Sequence, residues 1–316
     1  MRALVELSGR HSRVSQTRRV ASPTESTVAA GPAIRSYGRP SGLASASSGQ
    51  LVAGRFRIQS LLGRGGVGRV WLAEDELLRR PVALKQYLAR KADSEDAKRV
   101  IRARALNEAR TAARIDHGGV VRVWDVVRDG SLPWLVMEPL SGRTLAEILA
   151  GEGPLAIDRV TEIAAQLLDT LRAVHKGGVV HRDVKPANVQ LCDDGRVVLT
   201  DFGIAWMRDE ELNCPRDVLE GSPAFISPEQ LRGDEPAPPS DLFSLGATLF
   251  TLLEGSPPFA KTDVWATLTA VVQDAPRVSP RTGRLGTVIA GLLVKDAARR
   301  LSADAAHTAV LELHRR

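Results

Sequence analysis

From residue 55 onward the chain alternates apolar and polar positions in short runs. The stretch Arg55 to Leu88, "RFRIQSLLGRGGVGRVWLAEDELLRRPVALKQYL", is parted by glycines and a proline, as expected of consecutive antiparallel strands. Ser94 then opens "SEDAKRVIRARALNEARTAARI", a capped helix rich in Ala, Arg and Leu. Two further strand-like runs, Val120 to Val127 and Leu132 to Met137, flank the turn "RDGS". The count is five strands and one main helix. Beyond "EPLSGRT" the period lengthens to about 3.6 over Thr144 to Ala150, Ile157 to Lys176, Ser240 to Glu254, Asp263 to Val272, Leu285 to Val294 and Ala303 to His314. A β-rich lobe therefore precedes an α-rich one, an α+β, bilobal architecture. The two meet near Glu138 to Gly142, and clefts between lobes favour ligands.

Residues 1–52 show no apolar period and are rich in Ser, Thr, Gly, Pro and Arg. Such a segment cannot repay the entropy of ordering and is expected to be a disordered tail. The domain proper is expected at 53–316, with an N-lobe at 53–138, a hinge at 138–142 and a C-lobe at 143–316. The charge of +6 sits mostly in the tail: residues 1–50 carry seven Arg against Glu6 and Glu25, which is +5, leaving +1 for the rest. A near-neutral folded part argues against a nucleic-acid binder. No apolar run approaches the roughly 20 residues needed to span a bilayer, and two cysteines, Cys192 and Cys214, make no disulfide framework. A cytoplasmic location is the expectation.

Candidate chemistry gathers at four places. "GRGGVGRV" sets Gly63, Gly65, Gly68 and Val70 in the pattern G-x-G-x-x-G-x-V, where glycines let backbone amides approach phosphate oxygens. Alone the cluster reads as an ordinary hairpin turn. Fifteen residues after Val70, "VALK" ends an apolar strand on Lys85, and a buried ammonium requires an anionic partner. Glu108, in "LNEAR", reads alone as a solvated helix charge and in this context as that partner. In "HRDVKPAN", Pro186 holds a loop on which Asp183, Lys185 and Asn188 can converge. A carboxylate to take or orient a hydroxyl proton, an ammonium against a moving phosphoryl group and an amide oxygen for a metal suit phosphoryl transfer. Asp201, after the strand Val197 to Leu199, stands at a strand end as a magnesium ligand would.

With these residues in order, followed by "DFG", "SPE" and "DLFSLG", the chain resembles the eukaryotic-type (Hanks-type) protein kinase family, specifically its bacterial serine/threonine branch. The resemblance spans about residues 54–314. It implies a protein-kinase fold and γ-phosphoryl transfer from ATP to Ser/Thr hydroxyls of protein substrates, with Mg2+, or Mn2+, as the metal. It implies that Lys85, paired with Glu108, holds the α- and β-phosphates, that Asn188 and Asp201 hold the metal, and that Asp183 is the base with Lys185 stabilising the transferred group. Val70 and Ala83 belong to the nucleotide pocket, Met137 matches the gatekeeper, and Glu138 and Leu140 lie in the hinge that bonds adenine. His181 and Phe202 match packing members of an internal spine. Asp241 is expected to anchor the "HRD" backbone, and Glu229 to pair with Arg300.

Three departures qualify the match. "SPE" stands for the usual "APE", without expected consequence. Gln190 occupies a position normally apolar beneath adenine, which is expected to alter adenine affinity modestly. Between Gly203 and Gly221 there is no Ser, Thr or Tyr, so the usual loop phosphosite is missing, and Ser222 matches a residue near the substrate. Arg182 ordinarily grips a loop phosphate, and Asp209, Glu210, Glu211, Asp217 or Glu220 are candidates to replace it. A kinase-shaped scaffold acting by partner binding is the alternative function, disfavoured because Lys85, Asp183 and Asp201 all survive. Dimerisation for activation, the physiological substrate and the upstream signal are left open.

Overall fold

The computed structural model describes residues 46–65, 68–88, 94–202, 223–277 and 279–314. Its larger sheet has six strands, β1 (Leu51–Val52), β2 (Phe56–Arg64), β3 (Gly68–Asp75), β4 (Arg80–Tyr87), β5 (Val123–Asp129) and β6 (Leu132–Met137), in the order β1-β2-β3-β4-β6-β5 with every pairing antiparallel. The strand beyond the five expected is β1. Two residues are too few to display alternation, and β1 exists only through its register, Leu51 opposite Arg57 and Val52 opposite Phe56. Val52 and Phe56 are fully buried together.

The run expected as one strand over Val120 to Val127 is divided between two jobs. Val120 makes a parallel bridge to Leu199, supported by Leu199 N–H donating to the Gly119 carbonyl at 2.8 Å and Val121 N–H to the Leu199 carbonyl at 3.1 Å. Only from Val123 does the chain join the large sheet. A long β-branched run has enough pairing capacity to serve both lobes, and its pattern does not reveal where it switches.

Alternation along β4 decides what faces the cleft. Val82 and Leu84 pack with Phe56, Ile58, Trp71 and Val136 on one side of the sheet. Ala83 and Tyr87 pack with Ala105, Ala109, Leu135 and Met137 on the other, beneath helix α1 (Glu95–Ala112). Lys85 shares their parity and therefore their face. Helix α1 starts where Ser94 caps it, its hydroxyl accepting from Ala97 N–H at 3.1 Å, and its buried residues are Ala105, Glu108, Ala109 and Ala112, spaced by three and four. Gly68 is fixed by a close approach, since a Cβ there would stand 2.2 Å from the Gln86 carbonyl oxygen in β4.

The helical lobe contains α2 (Leu145–Glu152), α3 (Ile157–Lys176), α4 (Pro228–Arg232), α5 (Pro238–Glu254), α6 (Val264–Gln273), α7 (Gly286–Leu292) and α8 (Ala303–His314). A small sheet, β7 (Arg143–Thr144), β8 (Val189–Leu191) and β9 (Val197–Leu199), lies beneath the inter-lobe segment. Thr144 starts α2 with a reciprocal capping box to Glu147. Helix α5 is buried along nearly its whole length, from Ser240 to Leu253, and starts two residues before the expected Ser240 because prolines are well suited to a first helical turn. Around it Leu167, Leu171, Phe250, Leu292 and Val310 form one continuous core. Among the described residues no helix is long and apolar enough to cross a membrane.

Candidate active site

Between the lobes Lys85 is the central cation. Its Nζ lies 2.7 Å from Glu108 Oε1 and 2.7 Å from Asp201 Oδ1, so the single charge of this residue, 5% exposed, is opposed by two carboxylates. Burial alone would lower its pKa, but Asp201 and Glu108 outweigh it and hold the ammonium above the ordinary lysine range. Asp201 feels the reverse: loss of water around its carboxylate within the cleft raises its pKa, Lys85 overcomes that, and the group is held below the ordinary carboxylate range. Its side chain keeps 44% exposure, which leaves carboxylate surface free for a ligand.

Asp183, Lys185 and Asn188 do converge. Lys185 Nζ lies 2.7 Å from Asp183 Oδ2, and the Asn188 amide donates to the same oxygen at 2.7 Å and to the Asp183 carbonyl at 2.9 Å. One 3-10 turn over Pro186–Asn188, with the proline in its first position, folds Asn188 back onto Asp183. Its NH2 group being spent on Asp183, the amide oxygen remains as acceptor. Thr200 N–H donates to the Asn188 carbonyl at 2.9 Å, which brings the segment ahead of Asp201 alongside this loop.

The loop is held from behind by Asp241, in the first turn of α5. Its carboxylate accepts from His181 N–H at 2.8 Å, from Arg182 N–H at 2.7 Å and lies 2.8 Å from His175 Nε2. Arg182 has φ of 74° and Asp201 of 61°, a left-handed conformation uncommon outside glycine and found at constrained functional sites. His181 is fully buried and packs edge-on against Phe202, ring centroids 4.6 Å apart. Burial lowers its pKa and keeps it neutral. Its Nδ1 accepts from Asp183 N–H at 3.2 Å and its Nε2 bonds the Thr200 carbonyl at 2.9 Å, so imidazole serves as a spacer between the loop and β9.

At the inter-lobe segment Met137 pairs with Ala83 across β4 and β6, and Leu140 packs against the same cluster as Val70. Glu138 donates its N–H to the Arg122 carbonyl at 3.0 Å while its carboxylate accepts from Arg122 N–H at 3.0 Å. Gln190 turns its amide onto the Ser141 carbonyl at 3.0 Å. Glu229 and Arg300 form a bidentate pair at 2.6 and 2.9 Å. Gly203, Ser222 and the acids from Asp209 to Glu220 lie outside the described residues.

Sequence reasoning missed three contributors. Tyr87 donates its hydroxyl to Glu108 Oε2, and strand parity with Lys85 was the available signal. Thr200 offers its carbonyl to His181 and its hydroxyl to the Asn188 carbonyl at 3.2 Å. His175 supports Asp241; a helix-end histidine carries no signal of a partner sixty-six residues away.

The site suits a nucleotide with its metal. Around Gly63 and Gly65 an added Cβ would meet nothing within 4 Å, so packing within the chain does not demand glycine there, whereas a phosphate pressed against the loop would. Among the described residues no group of three or more His, Cys, Asp or Glu could hold a metal unaided. The amide oxygen of Asn188 and the partly exposed carboxylate of Asp201 are oxygen donors of the kind Mg2+ takes alongside phosphate and water.

The protein kinase domain family matches residues 56–310. Similar proteins include the serine/threonine-protein kinase PknL of Mycobacterium bovis, 39% identical over 66% of this chain and 51% of its own length. PknA of Mycobacterium tuberculosis is 36% identical over 67% and 49%, and PrkC of Bacillus subtilis 35% over 67% and 32%. The match thus spans about half the length of the first of these curated relatives, and less of PrkC.

Proposed function

The chain belongs to the protein kinase family, and from that premise we propose that it transfers the γ-phosphoryl group of MgATP to serine or threonine hydroxyls of protein substrates in bacterial signalling. The observation that carries the reading is the convergence on Asp183: an ammonium and an amide each 2.7 Å from one carboxylate oxygen, beside a second ammonium held between Glu108 and Asp201.

In this reading Asp183 receives or orients the proton of the acceptor hydroxyl, and Lys185 offsets charge on the phosphoryl group in flight. Lys85 engages the α- and β-phosphates, its orientation set by Glu108. The amide oxygen of Asn188 and the carboxylate of Asp201 hold Mg2+, or Mn2+, which when bound supplies neutralisation of phosphate charge. Backbone amides around Gly63, Gly65 and Gly68 cover the phosphates, while Ala83, Val70, Met137 and Leu140 offer apolar walls to the base. Use of ATP and a buried, unpaired Cys192 support a cytoplasmic placement of this domain.

The test is incubation with labelled ATP, Mg2+ and histone as a basic acceptor. Label on Ser or Thr, abolished by Asp183→Asn and by chelation, is expected. A folded, ATP-binding sample that labels neither histone nor itself would overturn the reading.

A further inference from the structure

Strand β4 presents two polar side chains to α1. Lys85 and Tyr87 are two residues apart, leave the strand on one face, and are 5% and 2% exposed. Both end on Glu108, itself 3% exposed: the lysine on Oε1 at 2.7 Å, the tyrosine hydroxyl donating to Oε2. Lys85 Nζ also lies 5.2 Å from the centroid of the Tyr87 ring, so the three groups form one buried cluster.

Among the described residues the helix carries few bulky buried anchors: Ile101 packs against the apolar cluster of Tyr87, Ala105 and Ala109 but is only partly buried. Apart from Glu108 its fully buried residues are alanines, Ala105, Ala109 and Ala112, and burial of a methyl group contributes far less than burial of a Leu or Phe side chain. A further polar tie, Arg102 Nε to the Ser131 carbonyl at 2.8 Å, is exposed. The hold of Lys85 on Glu108 is divided, because the same ammonium faces Asp201 at 2.7 Å and is the group that phosphates would recruit. The tyrosine hydroxyl has no such second duty among the described contacts. Burial and then Glu108 raise its pKa far above the ordinary phenol value, so it remains a donor throughout the working range.

We propose that Tyr87 is a positioning residue for phosphoryl transfer, whose hydroxyl keeps Glu108, and through it Lys85 and α1, in the competent arrangement within the resting chain. The inference rests on the function proposed above and adds its regulation: the arrangement is assembled by β4 and α1 themselves. That suits a sequence with no Ser, Thr or Tyr between Gly203 and Gly221 to receive an activating phosphate.

The test compares Tyr87→Phe with the unaltered chain, in the native and Glu108→Gln backgrounds, by steady-state kinetics with MgATP and histone. Loss of a hydrogen bond to a buried carboxylate is expected to lower kcat/KM for MgATP roughly tenfold or more, with KM for histone unchanged. In the Glu108→Gln background the same change is expected to cost less than about twofold, because partners in one network are not additive. A Tyr87→Phe enzyme within twofold of the unaltered chain, or an equal loss in both backgrounds, overturns the proposal. Thermal melting checks that the variant is folded, and Tyr87→Met, which also lacks the hydroxyl, replaces it if Phe does not fold, with the same outcomes. If the unaltered chain transfers no phosphate, the functional reading fails separately. Hydrogen exchange of α1 then reads the tether: faster exchange in Tyr87→Phe upholds it, and unchanged exchange overturns it.

Discussion

Replacing Glu229 by Ala removes one half of a charge pair that water barely reaches: the Arg300 side chain is 0% and the Glu229 side chain 10% exposed. Two guanidinium nitrogens lie 2.6 and 2.9 Å from its oxygens, and Ser240 donates to it at 2.9 Å. After the substitution Arg300 keeps only carbonyls, those of Pro239 at 2.6 Å and Val294 at 2.9 Å foremost, and the positive charge is left uncompensated. Breaking such a pair costs about 3–5 kcal/mol. At roughly 2–4 °C per kcal/mol for a domain of this size, the melting temperature should fall by about 6–20 °C. Glu229→Gln keeps shape and one acceptor and should fall in between. The pair also predicts a pH dependence. Burial tends to raise the Glu229 pKa, but Arg300 and the helix backbone outweigh it and hold the carboxyl below its ordinary value. Its stabilisation is therefore complete above the ordinary value, about 4.3, and is lost as pH falls through the depressed folded value, so the gap to Glu229→Gln should close in acid. Differential scanning fluorimetry from pH 7 to 3.5 measures both. Melting of both variants within about 2 °C of the unaltered chain at pH 7 would refute the reasoning.

Other consequences can be checked independently. Asp183→Asn should lower kcat by about 10²–10⁴-fold, the usual span for loss of a general base, with KM for MgATP little changed; a larger change in KM than in kcat would remove Asp183 from the chemistry. Gly68→Ala should destabilise by about 1–3 kcal/mol, since its methyl would meet the Gln86 oxygen at 2.2 Å. Gly63→Ala, with open space around the new methyl, should melt normally yet raise KM for MgATP. His181 is held neutral by burial, so below about 6.5 the unfolded chain binds a proton that the folded one refuses. Stability should therefore fall from pH 7 to 5, less steeply in His181→Phe, as read by urea denaturation.

How much was legible in the sequence varied with element length and with the range of the contact. Ile157–Lys176, Ala303–His314 and Leu132–Met137 lie at the expected bounds, because each is long enough, or apolar enough, to show its own period. Strands β1 and β7 and helix α4, with two, two and five residues, have no period to show and exist through partners elsewhere. The convergence of Asp183, Lys185 and Asn188 was legible because Pro186 forces a local turn. The tyrosine on Glu108 was not, since a hydroxyl reaching twenty-one residues along the chain depends on the rotation of α1 over the sheet, and a helix with an alanine-lined underside gives no sequence cue to that rotation.

Asp241 ties together parts of the molecule with very different duties. Its two oxygens clasp the peptide groups ahead of Asp183, yet it sits in the opening turn of a helix surrounded by the core of its lobe. A chain segment fastened in that way cannot loosen by itself; it comes free only when the helix does. The amides of His181 and Arg182, though only one or two residues from Asp183, should consequently trade their protons for deuterium on the timescale of whole-lobe melting, which makes this part of the reaction centre as durable as the lobe that carries it.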